Sequence, residues 1–127
     1  MILLDSDIAV DLLRRHPAAV AWLFDHSNDE IYLPGFVAME LIQGCANKRE
    51  LSVVQNFVRP FPLLWPPSDV ADQALIVFAE GHLSHSLGLL DALIGQLAVS
   101  PNTPLHTFNQ KHFAAVPGLH TIQPYPR

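Results

Sequence analysis

Short apolar runs alternate with amphipathic stretches along the chain, and this alternation predicts strands and helices in turn. Ile2 to Leu4 predicts a buried strand, and the run from Ile8 predicts a helix that ends near Arg15, before His16-Pro17. Further strands are predicted at 31–33, within 60–67, at 105–107 and at 119–122. Further helices are predicted at 18–26, 36–46, 51–58, 70–85, 92–99 and 110–115.

Strands that alternate with helices are typical of an α/β fold. We therefore predict a central parallel sheet of short strands, flanked by helices on both faces and joined by right-handed crossovers. An all-helical bundle with a few extended pieces is the alternative, but the early apolar strand and the prolines around Leu63 argue against it. The 127 residues suit a single domain, 1–127, with one core.

Composition restricts the class of protein. Half of the residues are hydrophobic and only 15% are charged, which indicates a globular chain. We expect no membrane partner, because no apolar run is long enough to cross a bilayer, and no signal peptide, because no basic region precedes the first apolar residues. The single cysteine, Cys45, excludes an internal disulfide, which fits a reducing compartment and therefore a cytoplasmic location. We interpret Cys45 as a small buried side chain rather than a nucleophile.

The net charge restricts the kinds of partner that we expect the chain to bind. Twelve acids against seven Lys and Arg give a formal charge of −5, whereas nucleic-acid binders are usually basic. This argues against a permanent tight grip on RNA or DNA. It leaves room for a nuclease that engages its substrate through bound cations.

Three carboxylates occupy positions that suggest chemistry. Asp5 directly follows the first strand, and functional groups collect outside the carboxyl ends of strands in open parallel sheets. Capping of the following helix suits Ser6 or Asp7 and leaves Asp5 unexplained. Glu40 lies in an otherwise apolar helix, and Asp91 stands at the head of another. A partly exposed helix face and an N-cap, respectively, are the structural alternatives for these two residues.

A buried carboxylate needs a cation, a set of hydrogen bonds or a raised pKa. Three acids that flank one sheet edge are harder to explain structurally than any one alone. Because oxygen-only ligands suit Mg²⁺ or Mn²⁺ rather than Zn²⁺, the residues favour a site for a hard divalent cation.

Four motifs in chain order resemble those of the PIN-domain ribonucleases, and the likeness covers essentially the whole chain. They are Leu3-Leu4-Asp5-Ser6-Asp7-Ile8, Met39-Glu40-Leu41 with Gly44, Leu90-Asp91-Ala92-Leu93-Ile94 and Thr107-Phe108-Asn109-Gln110-Lys111-His112-Phe113. The nearest resemblance is to the toxin subunit of VapBC-type toxin–antitoxin pairs. Each motif alone is weak, but the four in this order are specific.

The resemblance implies a metal-dependent endoribonuclease, with Mg²⁺ as cofactor and Mn²⁺ as a substitute. It assigns catalysis to Asp5, Glu40 and Asp91, with Asp5 and Asp91 as metal ligands and Glu40 as a further ligand or a water-activating base. Residues in supporting positions are Asp7, Thr107 and Asn109. Many relatives carry aspartate where this chain has Asn109, so one metal ion is expected rather than two.

The resemblance also implies partners: an RNA substrate, a cognate antitoxin and a second copy of the chain in a homodimer. The residues available to contact phosphate are Arg14, Arg15, Lys48, Arg49 and Lys111. A weakly active or inactive PIN-fold binding protein is the alternative, because of Asn109 and the low basicity.

Parts of the sequence also fit other protein classes. Asp5-Ser6-Asp7 also fits the start of haloacid-dehalogenase-type phosphatases, but no later Asp-Asp pair follows. A response-regulator receiver needs an acid after its third strand, and the segment 62–67 has none. The spacing of His82 and His85 suits zinc, but we predict that these are exposed or capping residues. The remaining expectations are that Trp22 and Trp65 belong to the core and that His112 packs its loop.

Overall fold

The computed structural model describes residues 1–127 and contains a five-stranded parallel sheet. Its strands are β1 (Ile2–Leu4), β2 (Ile31–Pro34), β3 (Leu63–Leu64), β4 (Leu105–His106) and β5 (Thr121–Ile122). Their order across the sheet is β3-β2-β1-β4-β5, so the first strand is central. Neighbouring parallel strands need long crossover connections, which the helices provide. The predicted PIN-like α/β architecture is confirmed.

Seven helices surround the sheet. They are α1 (Ser6–Leu13), α2 (Pro17–Asp25), α3 (Gly35–Gln43), α4 (Lys48–Val58), α5 (Ser68–His85), α6 (Leu89–Val99) and α7 (Gln110–Phe113). Helix α1 packs against α2 and α3, and α5 packs along α6. No helix is long and apolar enough to span a bilayer.

The core is built on the central strands. Leu3, Leu4, Leu33 and Leu105 are fully buried. Strands of a parallel sheet that is covered on both faces read as continuous apolar runs, which explains the uninterrupted sequence of β1. Burial of this strand fixes the position of the residue that follows it, Asp5.

The cap of α1 differs from the prediction. Asp5 itself occupies the N-cap position, and its carboxylate accepts the backbone N–H of Ser6. The assignment of the cap to Ser6 or Asp7 was wrong. The far end of α1 also comes earlier than predicted, at Leu13, because Arg15 adopts a left-handed backbone conformation (φ 57°) that a helix cannot continue.

Several other element ends were misplaced. Helix α4 begins at Lys48 rather than Leu51, because the Asn47 side chain caps it by accepting the backbone N–H of Glu50. Helix α5 begins at Ser68, directly after Pro67, rather than at residue 70. Four elements proved shorter or shifted: α3 spans 35–43 rather than 36–46, α7 ends at 113, β4 ends at 106 and β5 begins at 121. A turn from the Cys45 N–H to the Ile42 carbonyl ends α3.

Helix α6 begins at Leu89, with Gly88 at the N-cap. Asp91 therefore lies in the first turn of the helix. It does not cap the helix, so the N-cap alternative for Asp91 was wrong. The body of α6 is buried, from Ala92 to Ala98 except Leu93.

The two tryptophans differ. Trp22 is buried in the core, as predicted. Trp65 is 48% exposed and lies over Gly35 with its ring edge-on to Phe36, so its assignment to the core was wrong.

His82 and His85 are exposed, as predicted, and Cys45 is only half-buried.

Candidate active site

Asp5 and Thr107 lie side by side at one edge of the sheet. Strands β1 and β4 are parallel neighbours in which Leu4 pairs with His106, and each strand ends there. The Asp5 N–H donates to the His106 carbonyl at 3.0 Å, which continues the pairing by one residue. The carboxyl ends of parallel strands thus bring two segments about a hundred residues apart into contact.

Hydrogen bonds fix the Asp5 carboxylate at both oxygens. The Ser6 backbone N–H donates to Oδ1 at 2.8 Å, and the Thr107 hydroxyl donates to Oδ2 at 2.8 Å. The Thr107 Oγ1 in turn accepts the Asn109 backbone N–H at 2.9 Å. Because a hydroxyl has one proton, its closer approach to Asp5 than to Asp7, at 3.4 Å, identifies Asp5 as its acceptor.

Asp5 is only 4% exposed, and its surroundings oppose its charge. Burial, followed by repulsion from Asp7 and more weakly from Asp91, raises the pKa of Asp5 to about 6, although the bonds from Thr107 and Ser6 favour the ionised form. A carboxylate held in this way is poised to gain from a nearby cation.

Asp7 has its own partner in the loop after β4. Its Oδ2 accepts the Phe108 backbone N–H at 2.8 Å, and its Oδ1 accepts the Ile8 N–H at 2.8 Å. Burial raises the pKa of Asp7, while these hydrogen bonds oppose the rise. Asp7 therefore orients the segment that carries Thr107.

Glu40 and Asp91 are half-buried, and other acids of the site act on Glu40. The pKa of Glu40 is raised by burial, then by repulsion from Asp5 and Asp91. Burial also raises the pKa of Asp91, against the attraction of the His112 imidazole and the Gly88 backbone N–H. The three acids of the sequence hypothesis thus act on one another electrostatically.

The donor set of the site suits a single hard cation with few protein ligands. No three His, Cys, Asp or Glu side chains lie close enough together to form a ready-made metal cage. Magnesium is commonly held by one or two carboxylates and keeps several waters, so Asp5 and Asp91 fit one such ion. Each Asp5 oxygen accepts a single hydrogen bond and retains a lone pair for a cation.

Asn109, the last supporting residue, is exposed and forms no side-chain hydrogen bond within the chain. Its backbone N–H, rather than its amide, contributes to the site through Thr107.

Comparison with known proteins decides the family. The PIN domain family matches residues 2–119 of the chain. The chain belongs to the PIN-domain family. Ribonuclease VapC19 of Mycobacterium tuberculosis is 30% identical over 122 residues, which cover 94% of this chain and 97% of the relative. The predicted resemblance to VapBC-type toxins is therefore confirmed.

Solved structures share the fold. A toxin–antitoxin complex from Klebsiella pneumoniae superimposes with a TM-score of 0.78 at 24% identity and covers 100% of both chains. DNA-bound VapBC from Salmonella typhimurium gives a TM-score of 0.80 at 23% identity, over 96% of this chain and 98% of that chain.

A groove runs beside Glu40 in this PIN domain, between α1, α3 and α4. We call it the α1–α3–α4 groove, and its volume is about 380 Å³. Arg14 and Arg49 line it, together with apolar side chains such as Val10 and Val53. Of the five basic residues considered for phosphate contact, these two lie next to a candidate catalytic acid.

The sequence hypothesis missed one residue in α7 and two residues after β5. His112 was assigned to loop packing, but it is exposed and its charge acts on Asp91. Tyr125 and Arg127 lie beyond the last predicted strand, yet both donate hydrogen bonds to the carboxylate of Asp11. Burial alone would raise the pKa of Asp11, but these bonds outweigh it and lower the pKa. In the sequence, the only sign of this cluster was the polar residue Asp11 among the apolar residues of its helix.

Proposed function

We propose that this PIN domain is a Mg²⁺-dependent endoribonuclease that acts as a toxin, accepts Mn²⁺ as a substitute and is inhibited by a cognate antitoxin. The observation that carries the proposal is Asp5. It is a buried carboxylate at the end of the central strand, held by Thr107 and Ser6, with a pKa raised to about 6. The 30% identity to a ribonuclease supports the same activity.

Asp5 and Asp91 would hold the ion. When bound, the ion activates a water for attack on the phosphodiester and offsets the charge of the phosphate. Thr107 keeps the Asp5 carboxylate in one orientation, so the ligand does not have to be ordered on binding. Glu40 supplies a carboxylate of raised pKa that suits either a further ligand or a general base.

RNA would approach along the α1–α3–α4 groove, in which two arginines lie among the carboxylates of Glu40 and Glu50. Arg14 and Arg49 in the α1–α3–α4 groove offer cationic contacts for the phosphate backbone, whereas the net charge of −5 keeps the remaining surface unattractive to RNA. By the pattern of the family, the products carry a 5′-phosphate and a 3′-hydroxyl.

Cleavage of a mixed RNA pool tests the proposal. We expect cleavage with Mg²⁺ or Mn²⁺, loss of cleavage with EDTA, and loss in Asp5→Asn. Asp72→Asn, which removes the same charge from an exposed position on α5, is the matched control and should remain active. A folded wild-type chain that binds an antitoxin but cleaves no RNA with either ion would instead support the PIN-fold binding protein.

A further inference from the structure

The segment after β5 returns to α1 and is anchored there on one buried carboxylate. The Tyr125 hydroxyl donates to Asp11 Oδ2 at 2.8 Å, and Arg127 Nη2 donates to Asp11 Oδ1 at 2.9 Å. Asp11 and Tyr125 are both buried, while the Arg127 side chain is 45% exposed. Charge-assisted hydrogen bonds of this kind hold a short segment firmly. We call Tyr125 and Arg127 together the 125–127 clamp.

The clamp holds the ring of Phe108, in the loop after β4. Tyr125 meets this ring edge to face, with 5.1 Å between the ring centres. The Arg127 guanidinium lies over the same ring, 4.4 Å from its centre. An aromatic pair and a cation–π contact on one ring restrict its movement on two sides.

The backbone of Phe108 is held separately, by a residue of α1. Its N–H donates to Asp7 Oδ2 at 2.8 Å. Asp7 and Asp11 are four residues apart on α1 and therefore lie on the same face of that helix. The contacts form a closed ring that passes from Asp7 through Phe108 and the 125–127 clamp to Asp11, and back along α1.

This ring adjoins the candidate active site. Thr107, the residue before Phe108, donates its hydroxyl proton to Asp5 and accepts the N–H of Asn109. A rotation of the Phe108 backbone would therefore displace the hydroxyl that orients Asp5. The clamp and Asp5 are connected through one peptide unit.

We propose that Arg127 and Tyr125 are positioning residues, which hold the Phe108 N–H on Asp7 and thereby keep the Thr107 hydroxyl on Asp5. Neither residue touches Asp5, and neither is part of the four motifs. The consequence for cleavage rests on the proposed function. The placement of Phe108 does not, so the two can be tested separately.

Amide hydrogen exchange measured by NMR tests the placement directly. In Arg127→Gln, which removes the cation over the ring, the Phe108 amide should exchange at least about tenfold faster than in the wild type. Tyr125→Phe, which keeps the ring but removes the bond to Asp11, should give a smaller increase. The Leu33 amide, bonded to the Pro62 carbonyl in the sheet, should not change. Arg127→Lys restores a cation and should recover part of the protection.

Kinetics then test the link to the site. At a temperature where all variants are folded, Arg127→Gln should lower kcat by about tenfold with little change in KM, because small displacements of a ligand cost rate rather than substrate binding. The apparent Mn²⁺ affinity, measured by calorimetry, should fall as well. Arg59→Gln removes an exposed arginine on the far end of α4 and controls for lost attraction to RNA.

The outcomes separate the two proposals. Wild-type exchange of the Phe108 amide in Arg127→Gln would overturn the positioning role, whatever the activity. Faster exchange with wild-type kcat and Mn²⁺ affinity would also overturn it, because the clamp would then be a structural staple only. A wild-type chain without cleavage would refute the ribonuclease alone, and the Phe108 exchange rate would still decide the clamp.

Discussion

At the scale of single residues, the ionised carboxylate of Asp5 lowers the stability of the metal-free fold. Its folded-state pKa of about 6 lies above the ordinary 3.8, so the fold favours the neutral carboxyl. A group with a raised pKa contributes stability that is present below its unfolded pKa and is lost as pH rises through the folded pKa. Asp5 should therefore weaken the metal-free fold as pH rises from about 4 to above 6.

Asp5→Asn should abolish cleavage and weaken Mn²⁺ binding, while the metal-free protein becomes more stable at pH 7. The change in pKa of Asp5 from 3.8 to about 6 corresponds to a stabilisation of up to about 3 kcal/mol, at about 1.4 kcal/mol for each pH unit. Urea unfolding at pH 4 and pH 7 measures it, and most of the gain should be lost at pH 4, close to the ordinary pKa of 3.8. A fully active variant would remove Asp5 from the site.

Asn109→Asp should raise the affinity for Mn²⁺. The substitution adds a carboxylate two residues after Thr107, at the position where the family resemblance implies an aspartate, and Asn109 has no side-chain bond that would be lost. Calorimetric titration against the wild type measures the change. An unchanged or weaker affinity would mean that this side chain points away from the ion.

At the scale of elements, the sequence predicted which segments are strands or helices better than where they end. The bodies of the elements follow from hydrophobic periodicity, which local residues determine. The ends depend on specific contacts, such as the Asn47 cap of α4 or the left-handed Arg15 after α1. Asp91 lies in the first turn of α6 and not at its N-cap, so the N-cap alternative failed for the same reason.

Gly35→Ala should destabilise the junction of β2 and α3. A methyl group at Gly35 would overlap the indole ring of Trp65, which also contacts Phe36. We expect a loss of about 1–3 kcal/mol in the free energy of unfolding, as for other overpacked contacts. Gly44→Ala at the end of the same helix meets only ordinary contacts and should change stability by less than about 0.5 kcal/mol. Equal stability of both variants would show that the indole swings aside.

At the scale of the whole molecule, the candidate site could be predicted because sheet topology brings its segments together. Asp5 and Thr107 directly follow neighbouring parallel strands. The predicted strands placed both residues at strand ends, and the family resemblance, rather than a predicted strand order, assigned them to one site. The 125–127 clamp could not be predicted, because it depends on where an irregular segment returns to α1. Its residues carry no periodic pattern, and the buried Asp11 becomes informative only once its partners are known.

Exposed apolar side chains on α5 and at the start of α6 predict that the chain forms a homodimer. Helix α5 exposes Leu75 by 66% and Leu83 by 91%, and Leu89 at the start of α6 is 58% exposed. An apolar patch of this kind on a small domain favours association through a two-fold interface. Light scattering should give twice the chain mass at micromolar concentration, and Leu75→Glu should give a monomer. Val20→Glu, at an exposed apolar residue on α2, should leave the dimer intact.

The charge of the site predicts how an antitoxin would inhibit it. Burial raises the pKa values of Asp5, Glu40 and Asp91, and repulsion from neighbouring acids raises those of Asp5 and Glu40 further. A basic side chain from the antitoxin would relieve this repulsion in place of the metal. Arginine suits the role because it stays charged and can pair with a carboxylate through two parallel hydrogen bonds.

The α1–α3–α4 groove would seat the rest of the antitoxin segment, because apolar side chains line it and Glu40 lies at its edge. We expect the full-length partner to block RNA cleavage, and a partner truncated before its C-terminal tail to lose the block while its other contacts remain. Replacing one tail arginine by alanine should have the same effect, whereas replacing it by lysine should retain part of the inhibition, since lysine keeps the charge but loses the paired geometry. If the truncated partner still inhibited cleavage fully, the antitoxin would act by some means other than replacing the charge of the metal.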